Sequence, residues 1–257
     1  MILVLAAAKR NIRNVVVHKP YSFEAKELSL VGLNLQAVIN LKDLPQEIFN
    51  QLSPLTDKLT HYTQLILIGH GGQLLWKKIN SSSFDSNNPI DDYSRLQTEM
   101  FFSRHFSTDD FEIIFPALTS SEKQKSIGLQ KLGEIIGWHN ESPFRVGINQ
   151  EWGSWFAYRA VVLAKSDYLV NQNDQALSPC SQCETKPCIQ ACPANALVGD
   201  GLDLDQCISY RKKADSKCKG RCLARMACPV AKEHQYEIDQ IQYHYSLSMR
   251  MIENIER

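Results

Sequence analysis

Apolar positions fall into two regimes along this 257-residue chain. Up to about residue 165, short apolar runs alternate with amphipathic stretches. Beyond it the runs thin out and cysteine takes over. Val15-Val16-Val17 predicts a strand, and Ser22 predicts the cap of a short helix through Leu28, with Glu24 in its first turn. Leu35-Gln36-Ala37-Val38-Ile39 alternates as a strand does. Asp43 then caps a helix that carries Pro45 early, where a missing N–H is harmless. Leu65-Ile66-Leu67-Ile68 is a continuous apolar run of the length of a buried strand. It ends on Gly69-His70-Gly71-Gly72, a turn with permissive backbone. Residues 77–88 are polar and predict a surface loop. Asn88-Pro89 opens a helix with Asp91 and Asp92 in its first turn and an apolar stripe of Ile90, Tyr93, Leu96, Met100 and Phe101.

Phe111 to Phe115 predicts a strand ending at Pro116. Thr119-Ser120-Ser121-Glu122 is a capping box for a helix that buries Leu129, Leu132 and Ile136 and stops at Gly137. Phe144 to Ile148 and Trp152 to Leu163 predict two extended segments joined around Glu151 to Gly153 as a hairpin. The second ends in Val161-Val162-Leu163, suited to a central strand covered on both faces. These elements predict an α+β fold, a mixed sheet flanked by helices. Polar residues 165–178, centred on Asn171 to Asp174, form a linker. Residues 1–170 thus make a first domain, 176–236 a cysteine module, and 237–257 a tail lying back on the first domain.

All eight cysteines stand between Cys180 and Cys228. The first group is Cys180-x2-Cys183-x4-Cys188-x3-Cys192-Pro193. In ferredoxins of the two-cluster kind the cysteine before proline serves the other cluster. Cys180, Cys183 and Cys188 then pair with the second Cys-Pro, Cys228-Pro229. Cys192 joins Cys207, Cys218 and Cys222. Four thiolates for each of two [4Fe–4S] clusters use every cysteine once. Lys186-Pro187 fits the slightly longer loop before Cys188. Zinc and four disulfides are the other chemistries open to these residues. A disulfide scaffold belongs to short secreted chains, and zinc does not call for two Cys-Pro endings. The second group is looser, so one cluster with the later cysteines structural is a further alternative.

Composition narrows the partners. The formal net charge is zero, which gives no electrostatic case for nucleic acid. Met1 to Ala8 is apolar, but Lys9 and Arg10 follow rather than precede it, the wrong order for a secretory signal. No apolar run approaches the roughly 20 residues of a membrane span. Free thiolates and labile clusters point to a reducing cytoplasm. From Cys180 to Gln235 nine basic residues face six acidic ones, an excess of three, suited to cluster charge or to an acidic donor. Gly71 and Gly72 could bring N–H groups to a ligand, and Trp155, Tyr158 and Arg159 could wall a flat cofactor. The plainer reading of the same residues is a strand connection and a packed central strand.

Cys180 to Pro193 resembles the bacterial dicluster ferredoxins. Asp205-Gln206-Cys207-Ile208-Ser209-Tyr210 resembles the segment of epoxyqueuosine reductase in which a similar cysteine ligates the second cluster. Gly153 to Leu163 is similar to a segment of the cobalamin-processing chaperone. Together these resemblances imply a flavin-reductase/nitroreductase-like domain followed by a ferredoxin-like module facing a corrinoid. The longer Gly-rich motif of epoxyqueuosine reductase has no clear counterpart here, which argues against a tRNA substrate. No Asp-x-His-x-x-Gly run is present, so that motif does not ligate a corrinoid here; base-off cobalamin needs no such ligand. The expectation is an oxidoreductase passing electrons from two clusters to cobalamin, with flavin as second choice. A flavodoxin- or ferredoxin-type protein would supply the electrons. The alternative is an electron-transfer ferredoxin with a partner-docking domain and no catalysis of its own.

Overall fold

The computed structural model describes residues 21–116, 127–171, 177–198 and 201–254. The expected strand at Val15 to Val17 and the capping box at Thr119 to Glu122 lie outside them. The N-terminal half is built on a four-stranded antiparallel sheet of β1 (Leu35–Asn40), β2 (Gln64–Gly71), β3 (Phe111–Phe115) and β4 (Phe156–Ala164), in the order β1-β2-β4-β3. The two central strands are covered on both faces, and this is why they carry unbroken apolar runs. On one face, Ile66, Ile68, Ala160 and Val162 pack against α1 (Lys26–Leu30), α3 (Leu74–Ser81) and α4 (Pro89–His105) through Leu28, Ile79 and Phe102. On the other, Leu65, Leu67, Val161 and Leu163 meet Ile48 and Leu52 of α2 (Gln46–Leu52) and Leu132 of α5 (Leu129–Ile135). Each such side chain, fully buried, contributes roughly 1.5–3 kcal/mol. The fold is mixed α/β, but the sheet expected to be mixed is antiparallel at every pairing of its four strands, since no helical crossover joins parallel neighbours.

Several elements differ from the sequence expectation, each for a physical reason. β2 does not stop at Ile68. It runs through Gly69, His70 and Gly71, because β4 pairs with all three and supplies the ladder that glycine cannot specify alone. The helix expected after Ser22 begins at Lys26 with Ala25 as its cap. Asp43 caps no helix: it closes a 3-10 turn and accepts from Asn40 Nδ2 at 2.8 Å, while α2 starts after Pro45. The polar stretch 77–88 is helical as far as Ser81, because Leu75, Trp76 and Ile79 bury one face of α3. On α4 the buried face runs through Ile90, Ser94, Thr98, Phe101 and Phe102, leaving Leu96 and Met100 exposed. Thr98 sits inside by donating Oγ1–H to the Ser94 carbonyl at 2.7 Å. The expected hairpin is reduced to single bridges, Asn140 to Ile148 and Asn149 to Gly153, since β4 takes β2 and β3 as partners.

A bulge interrupts the β2–β4 ladder. Ile68 pairs with Ala160, but Gly69 pairs with Tyr158, so Arg159 is the extra residue. A bulge re-aims the side chains around it. Tyr158 therefore joins Val161 and Leu163 on the α2/α5 face, and Arg159 turns to the opposite one.

The C-terminal half contains α6 (Pro187–Gln190), the short strands β5 (Leu197–Val198) and β6 (Gly201–Leu202), α7 (Leu204–Lys212), α8 (Leu223–Met226) and α9 (Ile238–Glu253). Pro187 starts α6 at the position where it costs no hydrogen bond, and Asp203 caps α7 by accepting from Gln206 N at 2.9 Å. The interior of this half is shared. Cys188, Leu197, Ala224 and Cys228 pack around Phe144 and Ile148, which belong to the loop before β4. α9 lies back on the sheet layer: Trp76 Nε1 donates to Asp239 Oδ2 at 2.9 Å, and Trp155, Tyr236 and Ile241 pack together. Among the described residues no helix is long and apolar enough to cross a membrane.

Candidate functional site

The eight thiols are all free of disulfide bonds. Their mutual influence sorts them into two sets. Burial pushes the Cys180 thiol up to about 11, and the neighbours that raise it further are Cys228, Cys188 and Cys183. Cys188 is raised by burial and then by Cys228 and Cys183. Cys207 is raised by burial, Cys222, Cys192 and Cys218, and Cys218 by burial with Cys222 and Cys192. The named neighbours fall into Cys180, Cys183, Cys188 and Cys228 on one side and Cys192, Cys207, Cys218 and Cys222 on the other. Cys180, Cys183, Cys188 and Cys228 also line one recess, closed by Phe144, Pro187 and Val230. Among the described residues no three His, Cys, Asp or Glu side chains converge on a single-ion site.

The donor chemistry of this arrangement suits an iron–sulfur cluster. Buried, crowded thiols stay protonated by themselves, because thiolates so placed would repel one another in a medium that solvates them poorly. A polynuclear cation is what makes four adjacent thiolates stable. Backbone N–H groups already face the sulfurs: those of Ile189, Leu223 and Val230 hold down the thiols of Cys188, Cys218 and Cys228. Arg225 N donates to Cys222 Sγ at 3.5 Å. Such hydrogen bonds tune cluster potentials.

Two buried arginines flank the sets. Arg211 donates from Nε to the Cys218 carbonyl at 3.0 Å, from Nη1 to Ser248 Oγ at 2.8 Å, and from Nη2 to the carbonyls of Lys219 and Tyr245 at 3.3 Å each. Its guanidinium also lies over the Tyr245 ring at 5.3 Å. Arg225 sits between Cys222 and Cys228. Its guanidinium lies 4.4 Å from the Trp155 ring centre and 5.2 Å from that of Tyr236, and it donates to the oxygens of Ser154.

Beyond Arg225 opens a cleft of about 320 Å³ between β4, α8 and α9. Arg159, Arg225, Tyr236, His244, Tyr245 and Ser248 supply its polar lining. Tyr245 feels the Cys222 sulfur, so the cleft adjoins the second thiol set. Arg159 Nη1 pairs with Asp91 Oδ1 at 3.1 Å at the rim. Burial, then Arg159 and Arg225, hold the His244 imidazole down to about 3. His70 lies behind, wholly buried and held well below its usual range first by burial, with Nε2 3.0 Å from the Tyr236 hydroxyl.

The five pocket residues expected from sequence do not share one space. Arg159 lines the cleft. Trp155 is buried at 1% exposure, under Arg225 and Tyr236. Tyr158 is on the far side of the sheet, stacked on Trp138, with its hydroxyl 3.4 Å from His139 Nδ1. The N–H groups of Gly71 and Gly72 are already spent on Asn34 Oδ1 and the Trp155 carbonyl, both at 2.8 Å. Their glycines have a packing reason instead: a Cβ on Gly71 would sit 2.2 Å from the Trp152 ring, and Gly72 has φ +70°. Sequence reasoning missed Tyr236, His244, Tyr245 and Ser248, and saw Arg211 and Arg225 only within a basic excess. The available signal was an arginine between two cysteine ligands and the i, i+4 spacing of His244 and Ser248 on a helix.

Solved structures share this fold. A selenomethionine-labelled epoxyqueuosine reductase matches with TM-score 0.51 and 15% identity over 83% of this chain and 66% of its own. An epoxyqueuosine reductase with an epoxyqueuosine-modified tRNA-Tyr stem loop matches with TM-score 0.51 and 14% identity over 84% and 66%. That of Streptococcus thermophilus gives TM-score 0.48 and 14% identity over 80% and 65%. The chain thus spans just under two thirds of the length of these reductases. No family model and no curated protein matches it.

Proposed function

We propose that this chain is an iron–sulfur oxidoreductase of the epoxyqueuosine-reductase-like, cobalamin-reducing kind. One [4Fe–4S] cluster would be held by Cys180, Cys183, Cys188 and Cys228, the other by Cys192, Cys207, Cys218 and Cys222. The proposed domain division follows the sequence: residues 1–170, the module 176–236, and the tail 237–257. The observation that carries this reading is the sorting of eight free thiols into two sets of four, with Arg225 both bonded to Cys222 and lining an open cleft. The clusters would supply single electrons at low potential. The protein's own groups position the rest. Arg211 and Arg225 would offset thiolate charge, backbone N–H groups bond the sulfurs, and Arg225 links the second set to the cleft, bonding Cys222 Sγ from its backbone N and lining the cleft with its side chain.

The fold likeness and the segment resembling the cobalamin chaperone favour a corrinoid. A cleft of about 320 Å³ is at the small end of the roughly 300–1,000 Å³ usual for small-molecule sites. It has room for a flat ring system such as an isoalloxazine, whereas a corrinoid would have to lie across its mouth. No step is therefore assigned to a corrinoid. The net charge of zero favours a small-molecule acceptor over nucleic acid, although one fold neighbour was solved with a tRNA stem loop.

Anaerobic purification with iron, sulfide, optical and paramagnetic-resonance measurements tests the clusters. Two cubes give about eight iron atoms per chain by their stoichiometry. Cys188→Ala and Cys222→Ala should each remove one cluster's signal and leave the other. Colourless, iron-poor protein overturns the proposal. Equilibrium dialysis with cobalamin and with flavin identifies the acceptor. The second reading, an electron-transfer protein with a docking domain, is favoured by the filled space around Trp155, Tyr236 and Ile241. Uptake of neither cofactor, together with a stable partner complex, would select it.

A further inference from the structure

We infer that the cleft between β4, α8 and α9 binds a small planar anion, a flat ring bearing a carboxylate or phosphate, with Arg159 and Arg225 as its recognition pair. The anion site stands by itself; its role as electron acceptor rests on the cluster reading above. Two guanidiniums face the cleft and no carboxylate lines it. Asp91, exposed at the rim, answers only Arg159. Arg225 is 8% exposed, and its guanidinium bonds go to the neutral oxygens of Ser154. Within the cleft itself no carboxylate answers either guanidinium, and a pair of arginines facing an open space suits an anion that enters it.

The walls carry unused polar capacity. Arg159 Nε and His244 Nε2 are both buried and have no hydrogen-bond partner. Leaving such atoms unpaired costs roughly 1–3 kcal/mol each, which a ligand would recover. The guanidinium fork suits a carboxylate or phosphate, and the rings of Phe156, Tyr236 and Tyr245 suit a flat body. The bulge that turns Arg159 out of the α2/α5 core creates this pair of arginines. Arg225 lines the cleft and also donates from its backbone N to Cys222 Sγ at 3.5 Å, so a bound ring adjoins the second thiol set.

Calorimetric titration of the full, cluster-loaded chain with benzoate and with benzamide tests the inference. The two probes share a ring and differ in charge. Benzoate should bind at least tenfold more tightly, and added chloride should weaken benzoate alone. Arg159→Gln should erase the difference; should that variant fail to fold, the chloride comparison on the unaltered chain decides. Equal binding of both probes to folded protein, or binding of neither, overturns the inference. Preparations that lack iron yet prefer benzoate would sustain the anion site and remove the cluster reading. Iron-loaded protein indifferent to benzoate would do the reverse. Benzoate should also perturb the resonance of the cluster that Cys222→Ala removes.

Discussion

Gly71 and Arg211 show how single residues act here through what lies against them. The Trp152 ring covers Gly71 and lies tilted against His234, ring centres 4.3 Å apart. Gly71→Ala should therefore destabilise the fold by about 1–3 kcal/mol, as overpacking does, read as a lower urea midpoint with unchanged slope. Binding of cobalamin, flavin or benzoate would be affected only through that loss. Arg211 is different, because its guanidinium serves the Cys218, Lys219 and Tyr245 carbonyls and Ser248 together. Arg211→Gln should cost at least about 2 kcal/mol, since bonds from a charged donor are the strong ones. It should also move the midpoint potential of the Cys207-containing cluster downward, because a nearby positive charge favours the reduced state. Potentiometric titration followed by paramagnetic resonance reads this shift. The other cluster should hold its potential. The sequence marked Gly71 for ligand binding and left Arg211 within a basic excess; the packing role of neither was legible there. A glycine against a ring 81 positions away and an arginine among basic neighbours carry no local mark.

At the scale of elements, β2 and α9 meet through two neutral histidines. His70 on β2 and His244 on α9 are both held below the ordinary imidazole range, mainly by burial. The unfolded chain takes up protons on both near pH 6.5, while the folded chain does not. Stability from this source is complete above about pH 6.5 and falls as the pH drops, by up to about 1.4 kcal/mol per pH unit for each histidine. The difference in unfolding free energy between pH 7.5 and pH 5.5 should shrink in His244→Gln. Comparing variant with parent removes the separate acid sensitivity of the clusters. These elements also show where periodicity succeeds. The runs Leu65 to Ile68 and Val161 to Leu163 gave away the central strands because both faces are covered. Thr98 deceived, since an internal hydrogen bond lets its hydroxyl take an apolar place. His244 deceived for another reason: on the polar face of a helix, burial by a distant sheet leaves no trace in the pattern.

For the whole molecule, the thiol sets should govern the C-terminal half and spare the sheet. Stripping iron under reducing conditions should lose amide protection from residue 180 to 228, while β2 and β4 keep theirs, as hydrogen exchange with mass spectrometry would resolve. Uniform loss would mean that metal and sheet form one cooperative unit. The proposed pairing of sets rests on the two Cys-Pro endings, which the sequence shows directly. The meeting of the two halves was not legible there, because it depends on a loop far from any cysteine. Phe144 and Ile148 leave the N-terminal half and lodge among Cys188, Leu197 and Cys228, and Gly153 lies directly beneath the Val230 carbonyl. The sulfur-rich half is therefore no detachable cassette. Grafted onto another host at the linker, it would carry a hole where two borrowed side chains belong, and the walls around its thiols would have nothing to lean on.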